Sequence, residues 1–330
     1  MSQKEHSASE KIDLNKEAVE IYSTFRLEVE PEHPSVPTSV KAMNELMVIQ
    51  NTFPSVSSTA ILVSMTAWLF VLCFVDDHVD QMEASAGRTL LNDIMAVLAP
   101  GAPLPDDLIA EKGFFMNSMR DEDLRAVRQV RHTMSCFLRN VKALLPATTY
   151  EALCHDISDV FVAMVDDLRF KKHMNTDLPE YLRIRDSTIG VSPFFTLLRT
   201  SLGYVSEPSI ALTLLESHIT TAVVLQNDLI GLERDIHSGE WMNYGIIYTA
   251  YRGSLEDENT ATAIGPGISQ TVTEHNTAIE VAMDVLESIV EGNSVHDIQV
   301  ALSVLVFVSR HFSVAKRSER YKVKSTIPDH

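Results

Sequence analysis

The sequence predicts an all-α protein, and three features predict it. Apolar residues recur at i, i+3, i+4 and i+7 over long stretches, which paints one face of a helix. Glycine is sparse, with 12 among 330 residues, which argues for helix after helix rather than alternating strands. The breakers fall between periodic segments.

Helices are expected at 38–50, 57–80, 88–98, 120–143, 148–172, 178–203, 207–238, 241–252, 270–291 and 294–317. The second carries the most apolar run of the chain, Ala60 to Val75. The third is closed by Pro100, Pro103 and Pro105, which separate it from the fourth. Pro146 and Pro179 open the fifth and sixth, where a proline in the first turn removes no helical hydrogen bond. The seventh holds the stretch AVVLQ followed by polar residues, and the eighth is ended by a Gly/Asp/Asn-rich segment from Gly253 to Gly267. The last two follow on the same periodicity. No composition shift divides the chain, so residues 1–330 read as a single domain, with 1–15 and 322–330 polar and disordered.

Composition excludes several functions. The formal charge of -18 has the wrong sign for collecting phosphate backbones, so nucleic acid is not an expected partner. Cys73, Cys136 and Cys154 are three thiols without CxxC spacing, which suggests neither a disulfide framework nor a zinc site. The N-terminus has no apolar stretch of the secretory kind, and a cytoplasmic setting is expected. Ala60 to Val75 is shorter than the roughly 20 residues of a membrane span and ends in aspartates. It reads as a buried helix, without stable membrane insertion.

That ending carries the first chemical signal, Asp76-Asp77-His78-Val79-Asp80. On a helix Asp76 and Asp80 stack at i and i+4, and two converging carboxylates beside an apolar run are expensive unless a divalent cation sits between them. The bland reading is a wet helix end, which is how Asp106/Asp107 and Asp166/Asp167 are read. The second signal is NDLIGLERD, with Asn227, Gly231 and Asp235 at i, i+4 and i+8 on one face. Asn227 offers an amide oxygen and Asp235 a carboxylate, while Gly231 leaves room for a water. Arg234 lies beside them as a candidate ligand for an anion.

With these motifs the sequence resembles the microbial class I terpene synthases, particularly the short sesquiterpene cyclases of a single α-domain, from about residue 50 to 321. In that family a DDxxD motif faces an (N/D)Dxx(S/T)xx(K/R)E motif across a helical barrel. Together they hold three Mg²⁺ ions around a prenyl diphosphate. The segment YLRIRDSTIG is similar to the diphosphate-sensor region, with Arg185 and Gly190 the best matches and Arg183 a rival, and Arg320 and Tyr321 look like the pair that closes over the diphosphate. Gly231 stands where Ser or Thr is usual, Asp235 where Glu is usual, and Asp186 where many relatives carry a second Arg.

The resemblance implies that Asp76, Asp80, Asn227, Gly231 and Asp235 belong to the metal sites, and that Asp77 orients an arginine on closure. It gives Arg185, Arg234, Arg320 and Tyr321 to the diphosphate. Aromatic faces stabilise the cation in an apolar pocket; the candidates are Trp68, Phe70, Phe74, Phe194, Phe195, Phe307 and Phe312, each of which packing alone would also explain. The expected activity is magnesium-dependent cyclisation of farnesyl diphosphate to a sesquiterpene by a monomer or homodimer. Alternatives are a geranyl or geranylgeranyl diphosphate substrate, a chain-elongating prenyl diphosphate synthase, and a non-catalytic binding protein on the same fold. The elongating enzyme would need a second DDxxD where this chain has NDLIGLERD.

Overall fold

Twelve α-helices run through the residues that the computed structural model describes, namely 2–30, 36–99, 119–204, 207–252 and 264–317, with side chains from residue 16 onward; none of these is in a β-strand. In chain order they are α1 (Ser2–Val29), α2 (Thr38–Thr52), α3 (Thr59–Val79), α4 (Ala84–Leu98), α5 (Asp121–Leu144), α6 (Ala147–Lys172), α7 (Leu178–Thr188), α8 (Ser192–Ser201), α9 (Ile210–Ser238), α10 (Tyr244–Tyr251), α11 (Gly265–Glu291) and α12 (Val295–Ala315). They fall into two compact units, Met1–Val165 with Ser192–Val205, and Asp166–Val191 with Ser206–His330. The chain passes from the first to the second within α6 and returns for α8.

In the first unit α3 lies at the core because it is apolar nearly all round. Ser58 caps it by accepting the Ile61 N–H, and the hydroxyls of Ser64 and Thr66 donate back to the Ala60 and Leu62 carbonyls at 2.7 Å, so its buried polar groups are satisfied. Trp68 is fully buried, with ring centroids 6.2 Å from Phe137 of α5 and 6.4 Å from Phe161 of α6. Each fully buried Leu, Val or Phe in such a core contributes about 2 kcal/mol. By length and composition alone α3 and α12 could each cross a membrane, and 61% and 33% of their apolar windows are buried inside the protein.

α1 is a helix that the sequence reading, which placed none before residue 38, did not anticipate; its backbone is helical from Ser2. Its periodic signal is short, with Ala18, Tyr22 and Phe25 buried at i, i+4 and i+7. Tertiary partners complete it: Arg26 is buried, paired with Glu30 at 2.5 Å and with Glu45 of α2 at 3.1 Å, and its guanidinium lies 3.9 Å from the centre of the Phe70 ring of α3. Cation–π contact and ion pairing replace the water that the charge gives up.

In the second unit α9 packs against α7, α10, α11 and α12. The expected helix 178–203 is two helices, because Gly190 adopts φ +68° and its N–H turns back to the Ser187 carbonyl at 3.0 Å. A left-handed residue there ends α7 at little cost only as glycine. α11 starts at Gly265, inside the stretch read as a loop; residues 253–263 of that stretch lie outside the described residues. A Cβ on Gly267 would come within 2.3 Å of the Gly245 carbonyl oxygen, so α10 and α11 touch backbone to backbone. The three cysteines are free thiols.

Candidate functional site

The first motif ends α3. Asp80 keeps helical dihedrals, φ -62° and ψ -26°, and its N–H bonds the Asp76 carbonyl at 3.0 Å, so the two aspartates are one helical turn apart, as their spacing requires. Asp76 is half-buried, whereas Asp77 and Asp80 are exposed. Between them His78 is tied to the Phe74 carbonyl at 2.7 Å and to Gln129 of α5 at 3.3 Å, and its ring packs on Phe74 with centroids 4.2 Å apart. His78 thereby anchors the end of the helix that carries the acids.

The second motif lies on α9, which runs unbroken from Ile210 to Ser238 and keeps Asn227, Gly231 and Asp235 on one face. Asn227 is half-buried; Gly231 and Asp235 are buried. Arg234 donates to Asp235 Oδ1 from Nε at 2.9 Å and Nη2 at 2.6 Å. Asn243 donates to Asp235 Oδ2 at 3.0 Å. A Cβ on Gly231 would lie 3.1 Å from Asp235 Oδ2 and 3.5 Å from Arg234 Nη2. A side chain at position 231 would therefore press on the short acid, which would have to give by a few tenths of an ångström.

Asp228, which the sequence reading passed over, is the most buried acid of the motif at 1% exposure. It accepts hydrogen bonds from the Tyr181 hydroxyl and, at 2.9 Å, from the Tyr244 N–H, and Arg185 Nη2 lies 3.6 Å from Oδ1. Burial pushes the Asp228 pKa up to about 6, against the opposing pull of Arg185, Tyr181 and the Tyr244 N–H. The same burial and the neighbouring carboxylate hold the Tyr181 phenol well above its ordinary value. An acid enclosed by the apolar run of α9 is the signal that could have found this cluster.

Arg183 and Arg185 sit in different surroundings. Arg183 is exposed and committed to Glu180, at 2.8 and 2.9 Å, and to Asp166, at 2.9 Å. Arg185 is 16% exposed and faces Asp228. Asp186 accepts the Thr221 hydroxyl of α9 through both oxygens at 3.1 Å, and burial pushes its pKa up to about 6. Asp166 and Asp167 serve ion pairs, with Arg169 and Arg183 and with Lys171. Asp106, Asp107, Arg320 and Tyr321 lie outside the described residues.

Among the aromatic candidates, Trp68 packs as core, and Phe194 stacks on Phe53 at 5.6 Å. Phe70 lies under Arg26, with Phe74 against it at 5.5 Å. Phe195 and Phe307 are buried, the latter 5.9 Å from the His311 ring, and Phe312 is 40% exposed.

A family model described as terpene synthase family 2, C-terminal metal binding, matches residues 67–264. The chain belongs to this terpene synthase family. The matched stretch holds Asp76 to Asp80, Arg185, Gly190 and Asn227 to Asp235, and stops before Arg320. Among solved terpene synthases, 2-methylisoborneol synthase from Streptomyces coelicolor A3(2), in complex with Mg²⁺ and geranyl-S-thiolodiphosphate, superposes with a TM-score of 0.68 at 13% identity, covering 94% of this chain and 93% of its own. Linalool/nerolidol synthase from Streptomyces clavuligerus, in complex with 2-fluorogeranyl diphosphate, gives 0.65 at 14% identity, covering 92% and 98%. At these identities the likeness is one of fold. A comparison with curated proteins finds no match.

Proposed function

We propose that this terpene synthase is a magnesium-dependent class I cyclase that ionises farnesyl diphosphate, cyclises the cation to a sesquiterpene and releases diphosphate. The observation that carries the reading is that the family's metal-binding region spans both acid-bearing motifs and the Arg185 segment. Among the described residues no three His, Cys, Asp or Glu side chains group into a metal cage. The donors are small oxygen sets instead: Asp76 and Asp80 at the end of α3, Asn227 and Asp235 on α9. Such sets suit Mg²⁺, which is held through one or two carboxylates and completes its shell with phosphate oxygens and water.

These four residues would hold the ions, and bound magnesium would neutralise charge gathering on the leaving diphosphate. Arg185 and Arg234 would donate charge-assisted hydrogen bonds to diphosphate oxygens. For Arg234 this means exchanging Asp235 for the substrate. Asp228, 3.6 Å from Arg185 Nη2, would help to hold that side chain in place. Arg320 and Tyr321 would join on closure, with Asp77 orienting an arginine. Phe74, Phe194 and Phe307 would offer apolar and π surface to the cation, from which water must be excluded.

A 15-carbon substrate follows from the resemblance to short single-domain cyclases. A 10-carbon substrate is the second reading, favoured by the geranyl-type ligands in both structural relatives. Gas chromatography with mass spectrometry of products from geranyl, farnesyl and geranylgeranyl diphosphate, each with Mg²⁺, separates them. Cyclic C15 hydrocarbon or alcohol from farnesyl diphosphate alone is the expected result. Products from geranyl diphosphate alone would replace the first reading with the second, and release of no diphosphate from any substrate would leave a binding protein.

A further inference from the structure

Asn243 stands immediately before α10 and is 1% exposed, and its carboxamide is engaged at both ends. Oδ1 accepts the Gly245 N–H at 3.0 Å, which caps α10. Nδ2 donates to the Asp228 carbonyl at 2.8 Å and to Asp235 Oδ2 at 3.0 Å. One buried amide thus starts α10 and fixes a carboxylate on α9. Helix capping needs only the acceptor; the donor is spent on the motif.

Two of the three departures of this chain from its family pattern, Gly231 and Asp235, meet at the same oxygen. Aspartate is one methylene shorter than glutamate, so its carboxylate sits closer to the α9 backbone, and a Cβ at Gly231 would crowd Oδ2 at 3.1 Å. Glycine removes that crowding, and Asn243 supplies the hydrogen bond that selects one orientation of the acid. Side chains that hold a metal ligand by hydrogen bonding set its direction and basicity.

We propose that Asn243 is a positioning residue for Asp235, and that Gly231, Asp235 and Asn243 form one coupled set that lets a short acid serve where a longer one is usual. The proposal rests on reading Asp235 as a metal ligand. Asn243 itself touches neither metal nor substrate.

The test is titration of the full-length protein with Mn²⁺ in the presence of inorganic diphosphate, with bound manganese read by electron paramagnetic resonance. Asn243→Ser keeps a capping oxygen but loses the reach to Asp235, and it should raise the half-saturating Mn²⁺ concentration by about tenfold. In an Asp235→Asn background the same substitution should add less than about twofold, because its target is gone. Gly231→Ala leaves the α10 cap untouched and favours helix, yet it should shift half-saturation in the same direction by crowding Oδ2. This second variant keeps the test decisive if Asn243→Ser fails to fold. Unchanged half-saturation in a folded Asn243→Ser, or in Gly231→Ala, would overturn the coupled set and leave Asn243 a helix cap. Wild-type protein that takes up no Mn²⁺ with diphosphate would remove the metal reading itself, and this proposal with it.

Discussion

Replacing Asp228 by asparagine tests whether burial or the Arg185 ion pair governs this acid. Its pKa stands at about 6 against an ordinary 3.8, so the folded protein binds a proton there that the unfolded chain has released. A folded pKa raised above the unfolded one gives stability that is fully present below about pH 4 and is lost as pH rises through about 6. Two pH units correspond to about 3 kcal/mol at 25 °C. The introduced amide would mimic the protonated acid, its carbonyl accepting the Tyr181 hydroxyl and the Tyr244 N–H in place of the carboxylate. Asp228→Asn should therefore match the wild type at pH 4 and exceed it by up to about 3 kcal/mol at pH 8. Urea denaturation followed by circular dichroism at pH 4, 5, 6 and 8 measures the difference, in which the other titrating groups cancel. Turnover should fall all the same, because Arg185 loses the charge that faces it. A variant less stable than the wild type at pH 8 would refute the reasoning and show that the pairing with Arg185 outweighs desolvation.

Asp76→Ala should abolish product formation with little change in thermal midpoint, since it thins a crowded acidic helix end; a folded variant with near-wild-type turnover would remove Asp76 from the metal site. Arg185→Ala should lower kcat at least a hundredfold, while Arg183→Ala, which breaks an exposed network, should change stability by under about 1 kcal/mol and leave kcat unaltered. The reverse order in steady-state kinetics would exchange the two roles. His311 titrates opposite to Asp228. Burial holds its pKa at about 4 against 6.5, so its contribution is present above 6.5 and is lost as pH falls through 4. His311→Asn should reduce the loss of stability between pH 6.5 and 4 by about 3 kcal/mol, measured by the same urea titrations.

What the sequence determined by itself is whatever the helix period fixes. The periodicity set the class and most helices after residue 38, because a 3.6-residue repeat of apolar side chains is a local property that packing rarely overrules. It put Asp76 with Asp80, and Asn227 with Gly231 and Asp235, on common faces at intervals of one turn, since helical spacing alone decides which side chains share a face. Tertiary structure decided the rest. α1 has only a short stripe of its own and is completed by Glu45 and Phe70 from other helices. Arg183 and Arg185 are two residues apart and equal as text, yet one is spent on surface acids and the other faces a buried one. Asp228 became significant only when Tyr181 and Tyr244 closed around it, and Asn243 only when its amide reached Asp235 across the α9–α10 connection. The value of a polar side chain depends on which partners replace its lost water, and those partners come from segments that one-dimensional spacing does not relate.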